Sequence, residues 1–328
     1  MTNYVIRRVL LNVAVIWLVM TFVFVTVRIL PGDYAAAQVS ERYFGGGAAA
    51  GESPEEALEK ARERLGLNDS IPVQYAKYVQ SLVTDDLGTS FATGRSVLAE
   101  IRHALPYTIQ LGTMSMIVGV LVALPVGIIS AIRQDSLLDG VLRLFAIGAL
   151  AAPSFWTATI GTLVVLEYGI LELNIVGNPG IWEDPWPSFQ LFIIPAVAGG
   201  VSSGALVMRM LRSQLLDVLR QDYVRTAQAK GLRARTVILR HALRNALIPV
   251  LTVLGFVFAT LVSGSVILEA MFNIPGMGQM MIVSLRSRDV PVVQGLALVL
   301  ATGVVVVNLL VDLVYLQVDP RISVGGAE

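Results

Sequence analysis

Residues 222–231 read Asp-Tyr-Val-Arg-Thr-Ala-Gln-Ala-Lys-Gly, and they lie between two uncharged runs, 185–208 and 245–268. Nine basic side chains fall between positions 209 and 244: Arg209, Arg212, Arg220, Arg225, Lys230, Arg233, Arg235, Arg240 and Arg244. Only Asp217 and Asp222 oppose them. A polar, basic segment of helix-forming composition inside a greasy chain has two explanations. Basic loops are held on the cytoplasmic side of a membrane, and a short exposed helix is also a docking surface for another protein.

Working outward, six runs carry no charge over the roughly 17–25 residues that a membrane-spanning helix needs: 9–27, 104–132, 144–166, 185–208, 245–268 and 290–311. The second is longer than one span. In lipid each backbone must satisfy its own hydrogen bonds, so all six are expected to be helices. The composition agrees. Hydrophobic residues make up 55% of the 328 residues and charged ones only 15%, against about 25% in a soluble domain. The expected fold is an all-α polytopic membrane protein, with six transmembrane helices and a small helical extracytoplasmic insert between helices 1 and 2. Pro125, Pro153, Pro195 and Pro249 fall in or beside these runs and mark kinks. The many glycines, Gly119, Gly200, Gly204 and Gly255 among them, suit close helix packing.

Lysine and arginine set the orientation. Arg7 and Arg8 before the first run, Arg133 after the second, the 209–244 loop and Arg321 after the last place both termini inside; Arg286 and Arg288 are the exceptions. A secretory signal is the rival reading of the first run, with Arg7-Arg8 before it and Ala35-Ala36-Ala37 as a cleavage site. That run exceeds the usual ~7–15 apolar residues of a signal core. Three regions follow: residues 1–30, an N-terminal segment with the first helix; 31–103, the extracytoplasmic insert; and 104–328, a five-helix core with a cytoplasmic loop at 209–244. In the insert, Ser53-Pro54-Glu55-Glu56 has the form of a helix start. That helix is expected to stop at Gly66, a second to run from 72 to about 83, and 44–51 to be a glycine-rich loop.

Several chemistries lack their residues. No Gly-Lys pair occurs, so there is no phosphate-cradling nucleotide loop. No cysteine and only two histidines argue against a transition-metal site, and zero net charge gives no field for nucleic acid. Gly200-Val201-Ser202-Ser203-Gly204 matches the Gly-x-Ser-x-Gly pattern of serine hydrolases, with His241 as a base. That pattern needs a strand–turn–helix context, whereas here it lies in an apolar helical run, where small residues pack helices. Glu167, Glu172, Glu269 and Arg28 fall near the outer ends of runs and Arg143 near an inner end, which argues against a mid-membrane proton relay or an ion-coupled carrier. Asn308 and Asp312, four residues apart, share a face: interhelical hydrogen bonding or a polar substrate path. Residues 269–278, with Glu269, Phe272, Pro275, Gly276 and Gly278, read as a connector or an outer gate.

Taken in order, the motifs resemble the B-type transmembrane permease subunit of the bacterial dipeptide/oligopeptide/nickel ABC importer family over nearly the whole chain. They are Tyr4 with Arg7-Arg8, the Arg28 to Asp33 stretch, Leu65-Gly66-Leu67, Gln74-Tyr75, Asp86-Leu87-Gly88-Thr89-Ser90, Pro153-Ser154-Phe155-Trp156, 222–232, 269–278, Arg288-Asp289 with Pro291 to Gly295, and Asp319-Pro320-Arg321. Importer permeases broadly carry an acidic residue six positions before the loop glycine. Here Arg225 stands at that distance from Gly231, and the order Tyr-Val-x-Thr-Ala-x-Ala-Lys-Gly is similar to the peptide subgroup's own variant. The resemblance implies a permease, not an enzyme, that translocates di- or oligopeptides by alternating access across the bacterial cytoplasmic membrane. Nickel, glutathione or short sugars are its alternative cargoes. It implies a heterodimer with a C-type permease, two ATPases that bind the ATP and Mg, an extracytoplasmic substrate-binding protein, the lipid bilayer, and no nucleic acid. The ATPase-coupling loop would comprise Asp222, Tyr223, Arg225, Thr226, Ala227, Ala229, Lys230 and Gly231, with Ala227, Ala229 and Gly231 as its docking surface.

Overall fold

The uncharged runs do become helices. The structure, a computed structural model, describes residues 2–29, 39, 53–64, 66–84, 87–171, 177 and 179–318. In chain order the helices are α1 (Thr2–Ile29), α2 (Pro54–Arg64), α3 (Ile71–Thr84), α4 (Val97–Ile132), α5 (Leu137–Ala151), α6 (Ser154–Tyr168), α7 (Pro185–Leu219), α8 (Asp222–Ala229), α9 (Leu243–Gly264), α10 (Val266–Met271), α11 (Met277–Arg286) and α12 (Val290–Val318). A helical turn, Ala234–Thr236, and a π-helical segment, Val237–Ala242, lead into α9. Among the described residues no strand occurs, only an isolated bridge between Thr89 and Ser96. Among the described residues, five helical stretches are long and apolar enough to cross a membrane, and α5 with α6 makes a sixth if the bent pair is one span. The glycine-rich 44–51, residues 31–33, 65, 86 and 172, and 319–321 lie outside the described residues, as do the side chains of Arg7 and Asp312.

The 144–166 run is not the single helix its length suggests. It breaks after Ala151, and α5 and α6 diverge by 104°. Pro153 has no N–H to continue the ladder and pushes the preceding residue out of the helical region. Ala152 accordingly sits at φ −76°, ψ 125°. The fifth run divides more gently at Ser265, between α9 and α10. The second run lengthens instead. α4 is one continuous 36-residue helix from Val97, about 54 Å long at 1.5 Å per residue and longer than a bilayer core of ~30 Å.

The chain forms two compact units. One comprises residues 2–106 and 275–302. Here Ser53 Oγ accepts from the Glu56 amide at 3.3 Å and starts α2. Gly66, at φ +64°, ends it, with the Gly66 and Leu67 amides on the Glu63 and Arg62 carbonyls. α3 lies along the second half of α1. Thr21 and Tyr75 share a 2.7 Å hydrogen bond, the Phe24 ring meets Tyr75 and Tyr78, and the Arg28 guanidinium stacks 3.6 Å over Phe24 while bonding Gln74 Oε1 through Nε and Nη2. The core of this unit joins Val97, Ile101 and Ala104 of α4 to Met277 of α11 and Val292 and Leu296 of α12.

The other unit comprises the described residues of 107–274 and 303–318. Its hub is α7, which packs on α5, α6 and α9 and buries Phe192, Met208, Leu211 and Leu215. α7 meets α4 backbone to backbone. A Cβ on Gly200 would lie 2.5 Å from the Ser115 carbonyl oxygen, and one on Gly204 would lie 2.7 Å from that of Gly119. Gly200-Val201-Ser202-Ser203-Gly204 is therefore a small-x-x-x-small packing face. The Ser203 hydroxyl donates to its own helix at the Gly199 carbonyl, 2.7 Å away, and the strand of a nucleophile turn is absent from this segment, which is helical throughout.

Candidate functional site

The 222–231 segment folds as α8 with a glycine stop. Val224, fully buried, anchors the helix against the rest of the chain, and half-buried Ala227 follows on the same face one turn later. Asp222, Arg225, Thr226 and Ala229 fall on the opposite face and are exposed. Tyr223, 43% exposed, accepts a 2.7 Å hydrogen bond from Asn245 Nδ2 at the start of α9. Gly231 takes φ +78°. Its amide bonds the Gln228 carbonyl at 2.9 Å, and the Leu232 amide bonds that of Ala227 at 3.3 Å. These are the paired bonds of a helix stop that requires a left-handed residue. Added bulk at Gly231 would meet nothing within 4 Å, so its requirement is conformational. Of the three small residues expected at the docking surface, Ala229 faces solvent, Ala227 faces inward, and Gly231 shapes the stop. α8 packs on the π-helical segment and on the end of α7; single π turns recur at functional positions. Lys230, Leu232, Arg233 and Arg235 continue the exposed surface.

Ten residues before α8, half-buried Arg212 forms an ion pair with a fully buried carboxylate that no sequence motif singles out. Arg212 Nε and Nη2 meet Asp139 Oδ1 and Oδ2 at 2.9 and 2.7 Å. Ser130 Oγ donates to Asp139 Oδ1 and accepts from Arg212 Nε at 3.1 Å, and the Asp135 amide donates to Oδ2 at 3.1 Å. Asp139 is fully buried. Ser136 caps α5 by accepting from the Asp139 amide at 3.2 Å, which fixes where this carboxylate points. The guanidinium–carboxylate fork thus ties α7 to the turn between α4 and α5. The signal was weak: one aspartate after a serine cap, and one arginine among nine basic residues otherwise explained by topology.

In the unit of residues 2–106 and 275–302, two motif segments far apart in sequence come together. Asp289, 2% exposed, accepts from Ser90 Oγ at 2.5 Å and from the Phe91 and Ala92 amides at 3.1 and 3.2 Å. Arg288, in the left-handed region at φ +52°, delivers it just after α11. Beside this latch is a cavity of about 510 Å³ lined by Arg95, Glu100 and His103 on one side and by Pro275, Gly276, Gln279 and Ser284 on the other. Glu100 accepts from Thr93 Oγ1 at 2.5 Å. Pro275 and Gly276, the turn read as a gate, form part of its wall, and Gly278 is buried in the first turn of α11.

Glu269 and Phe272 belong to the other unit. Glu269 is fully buried and accepts from Ser265 Oγ at 2.5 Å. Its backbone carbonyl receives the Ile274 amide at 2.9 Å, with Asn273 at φ +51° ending α10, and Phe272 packs half-buried against Leu268 and Ile274. Asn308 is exposed on α12, and the Asp312 side chain is outside the described residues. Among the described residues no group of three or more histidines or carboxylates is placed to hold a metal ion.

Comparison with known proteins matches residues 123–324 to the family described as binding-protein-dependent transport system inner membrane component, and residues 1–112 to the N-terminal component of the same kind of system. A probable D,D-dipeptide transport system permease of Escherichia coli is 36% identical over 93% of this chain and 93% of its own length. A dipeptide transport system permease of Alkalihalophilus pseudofirmus is 36% identical over 98% of this chain and 100% of its own length. A glutathione transport system permease of Pectobacterium atrosepticum is 35% identical, covering 98% and 99% respectively.

Proposed function

The chain belongs to the family of binding-protein-dependent transport system inner membrane components, and we propose that it is the peptide-translocating permease of a bacterial ABC importer. As an integral membrane permease subunit it is not itself an enzyme. Its proposed partners are a C-type permease, two ATPases that carry the ATP and Mg, and a substrate-binding protein outside the cytoplasmic membrane. Both termini and the 209–244 loop face the cytoplasm in this reading, as the arginines predict.

The observation that carries the proposal is α8: an eight-residue helix anchored by one buried valine, with its outer face of Asp222, Arg225, Thr226 and Ala229 left to solvent. The sequence has no phosphate-binding loop, so ATP-derived energy would enter from another subunit, and an exposed helix between two long apolar helices suits that contact. ATP-driven closure of the ATPases would move α8, and α7 and α9 would carry the motion into the core. The cavity beside Asp289 and the turn at Pro275-Gly276 suit an outer gate. The test is Gly231→Val in a fully inserted transporter, which should abolish substrate-stimulated ATP hydrolysis and uptake. Wild-type stimulation and uptake would sink the coupling role of α8. Glutathione is a second reading for the cargo, since a glutathione permease is nearly as similar as the dipeptide ones. Uptake of a labelled dipeptide that excess glutathione does not compete away would decide against it.

A further inference from the structure

We infer that the Arg212–Asp139 fork is a positioning element of the transport cycle, making the end of α7 that bears α8 move as one body with the α4–α5 turn. The inference rests on the reading of α8 as the contact with the ATPase. Stability alone is a poor reason for such a pair, because well-packed apolar residues are often as good or better in place of a buried ion pair. Topology is no better a reason. Exposed arginines serve it equally well, and among the described residues Arg212 is the one basic side chain between 209 and 244 that holds a buried carboxylate.

What the fork supplies is geometry. A guanidinium bound through two nitrogens fixes orientation as well as distance, which a lysine ammonium cannot do. Every ligand of the Asp139 carboxylate comes from a different piece of the structure: Ser130 from the last turn of α4, the Asp135 amide from the turn, and Arg212 from α7. Arg212 lies seven residues before the end of α7, about 10 Å along the helix, and Leu211 and Leu215, both fully buried, hold that stretch in the core on either side of it. A displacement of α8 therefore reaches the fork through a packed, continuous helix, and the fork hands it to α4 and α5.

The experiment uses the complete transporter in proteoliposomes and reads three quantities: thermal stability of the assembled complex, ATP hydrolysis stimulated by loaded binding protein, and labelled dipeptide taken up per ATP. Arg212→Lys keeps the charge and loses the fork. The double variant Asp139→Leu with Arg212→Met replaces the pair by apolar packing and guards against misfolding from a lone buried charge. Uptake per ATP is expected to fall roughly 5-fold or more in both, while the double variant stays assembled near the wild-type melting temperature. Wild-type uptake per ATP in either assembled variant overturns the inference. So does a loss of uptake that only tracks the amount of assembled complex, as a purely structural pair would give. Failure of the wild-type complex to couple ATP to uptake of either labelled dipeptide or labelled glutathione would instead remove the permease reading itself.

Discussion

At the scale of single residues, Asp139 and Asp289 are buried carboxylates whose oxygens are held by several donors. Asp289 shows what this implies. Asp289→Ala strands the buried Ser90 hydroxyl and the part-buried Phe91 and Ala92 amides, and a buried group left unsatisfied costs about 1–3 kcal/mol, less where water reaches it. Exchange of the Phe91 and Ala92 amides should accelerate well beyond that of α4 as a whole, and unchanged protection would refute the latch. Gly204 is constrained differently. Gly204→Val would press a side chain into the Gly119 backbone, and overpacking of this kind costs about 1–3 kcal/mol or more. The expected result is a lower melting temperature and poor yield of assembled transporter, with Gly148→Val, where nothing lies within 4 Å, as the benign control. Tyr78 adds a pH dependence. Burial, then neighbouring Tyr75, pushes its phenol up to about 12, with Arg28 acting in the opposite sense. A raised phenol favours the protonated fold, so the packing of α3 on α1 is intact below pH 10 and weakens as pH rises toward 12. Tyr78→Phe should remove that alkaline loss in a tyrosinate and circular-dichroism titration.

At the scale of elements, α8 is defined by its two ends of contact: Val224 beneath it and Gly231 beyond it. A non-glycine residue in the left-handed region costs about 1–2 kcal/mol, with Asn among the least affected. Uptake should therefore decline from wild type through Gly231→Asn to Gly231→Val, without a change in membrane insertion. Equal uptake in all three would mean that the stop does not matter. Much of this was legible in advance. The serine at 53 and the glycine at 66 act locally, through bonds to residues within one turn, so their roles can be read from spacing, whereas Gly231, expected at the docking surface, proves to shape a helix stop. The break at Pro153 was legible as a kink, but not its 104° extent, because the angle depends on what α5 and α6 each pack against. Asp139 of α5 is bound by Arg212 of α7, and Gly161 of α6 comes close to Ile194 of α7.

At the scale of the whole molecule, the chain lacks cysteine entirely, so its topology can be mapped without background. A maleimide that does not cross membranes should label Ala229→Cys only in inverted or opened vesicles. Labelling of intact cells would reverse the orientation assigned to the 209–244 loop.

The sequence by itself determined which apolar runs are helical, since lipid forces every backbone hydrogen bond to close within its own segment, but not where the 144–166 run breaks into two helices or how far α4 extends before residue 104. Composition and local spacing suffice for that. Only the tertiary structure decided which polar residues meet. Arg212 and Asp139 are 73 positions apart, and Ser90 and Asp289 are 199 apart. Each residue alone looks like an ordinary polar or charged side chain, and its partner exists only once α7 has packed on α5 or the 90–92 loop has closed on the residue before α12. A buried charge is tolerated because of that packing, so its meaning resides in the fold rather than in the stretch that carries it.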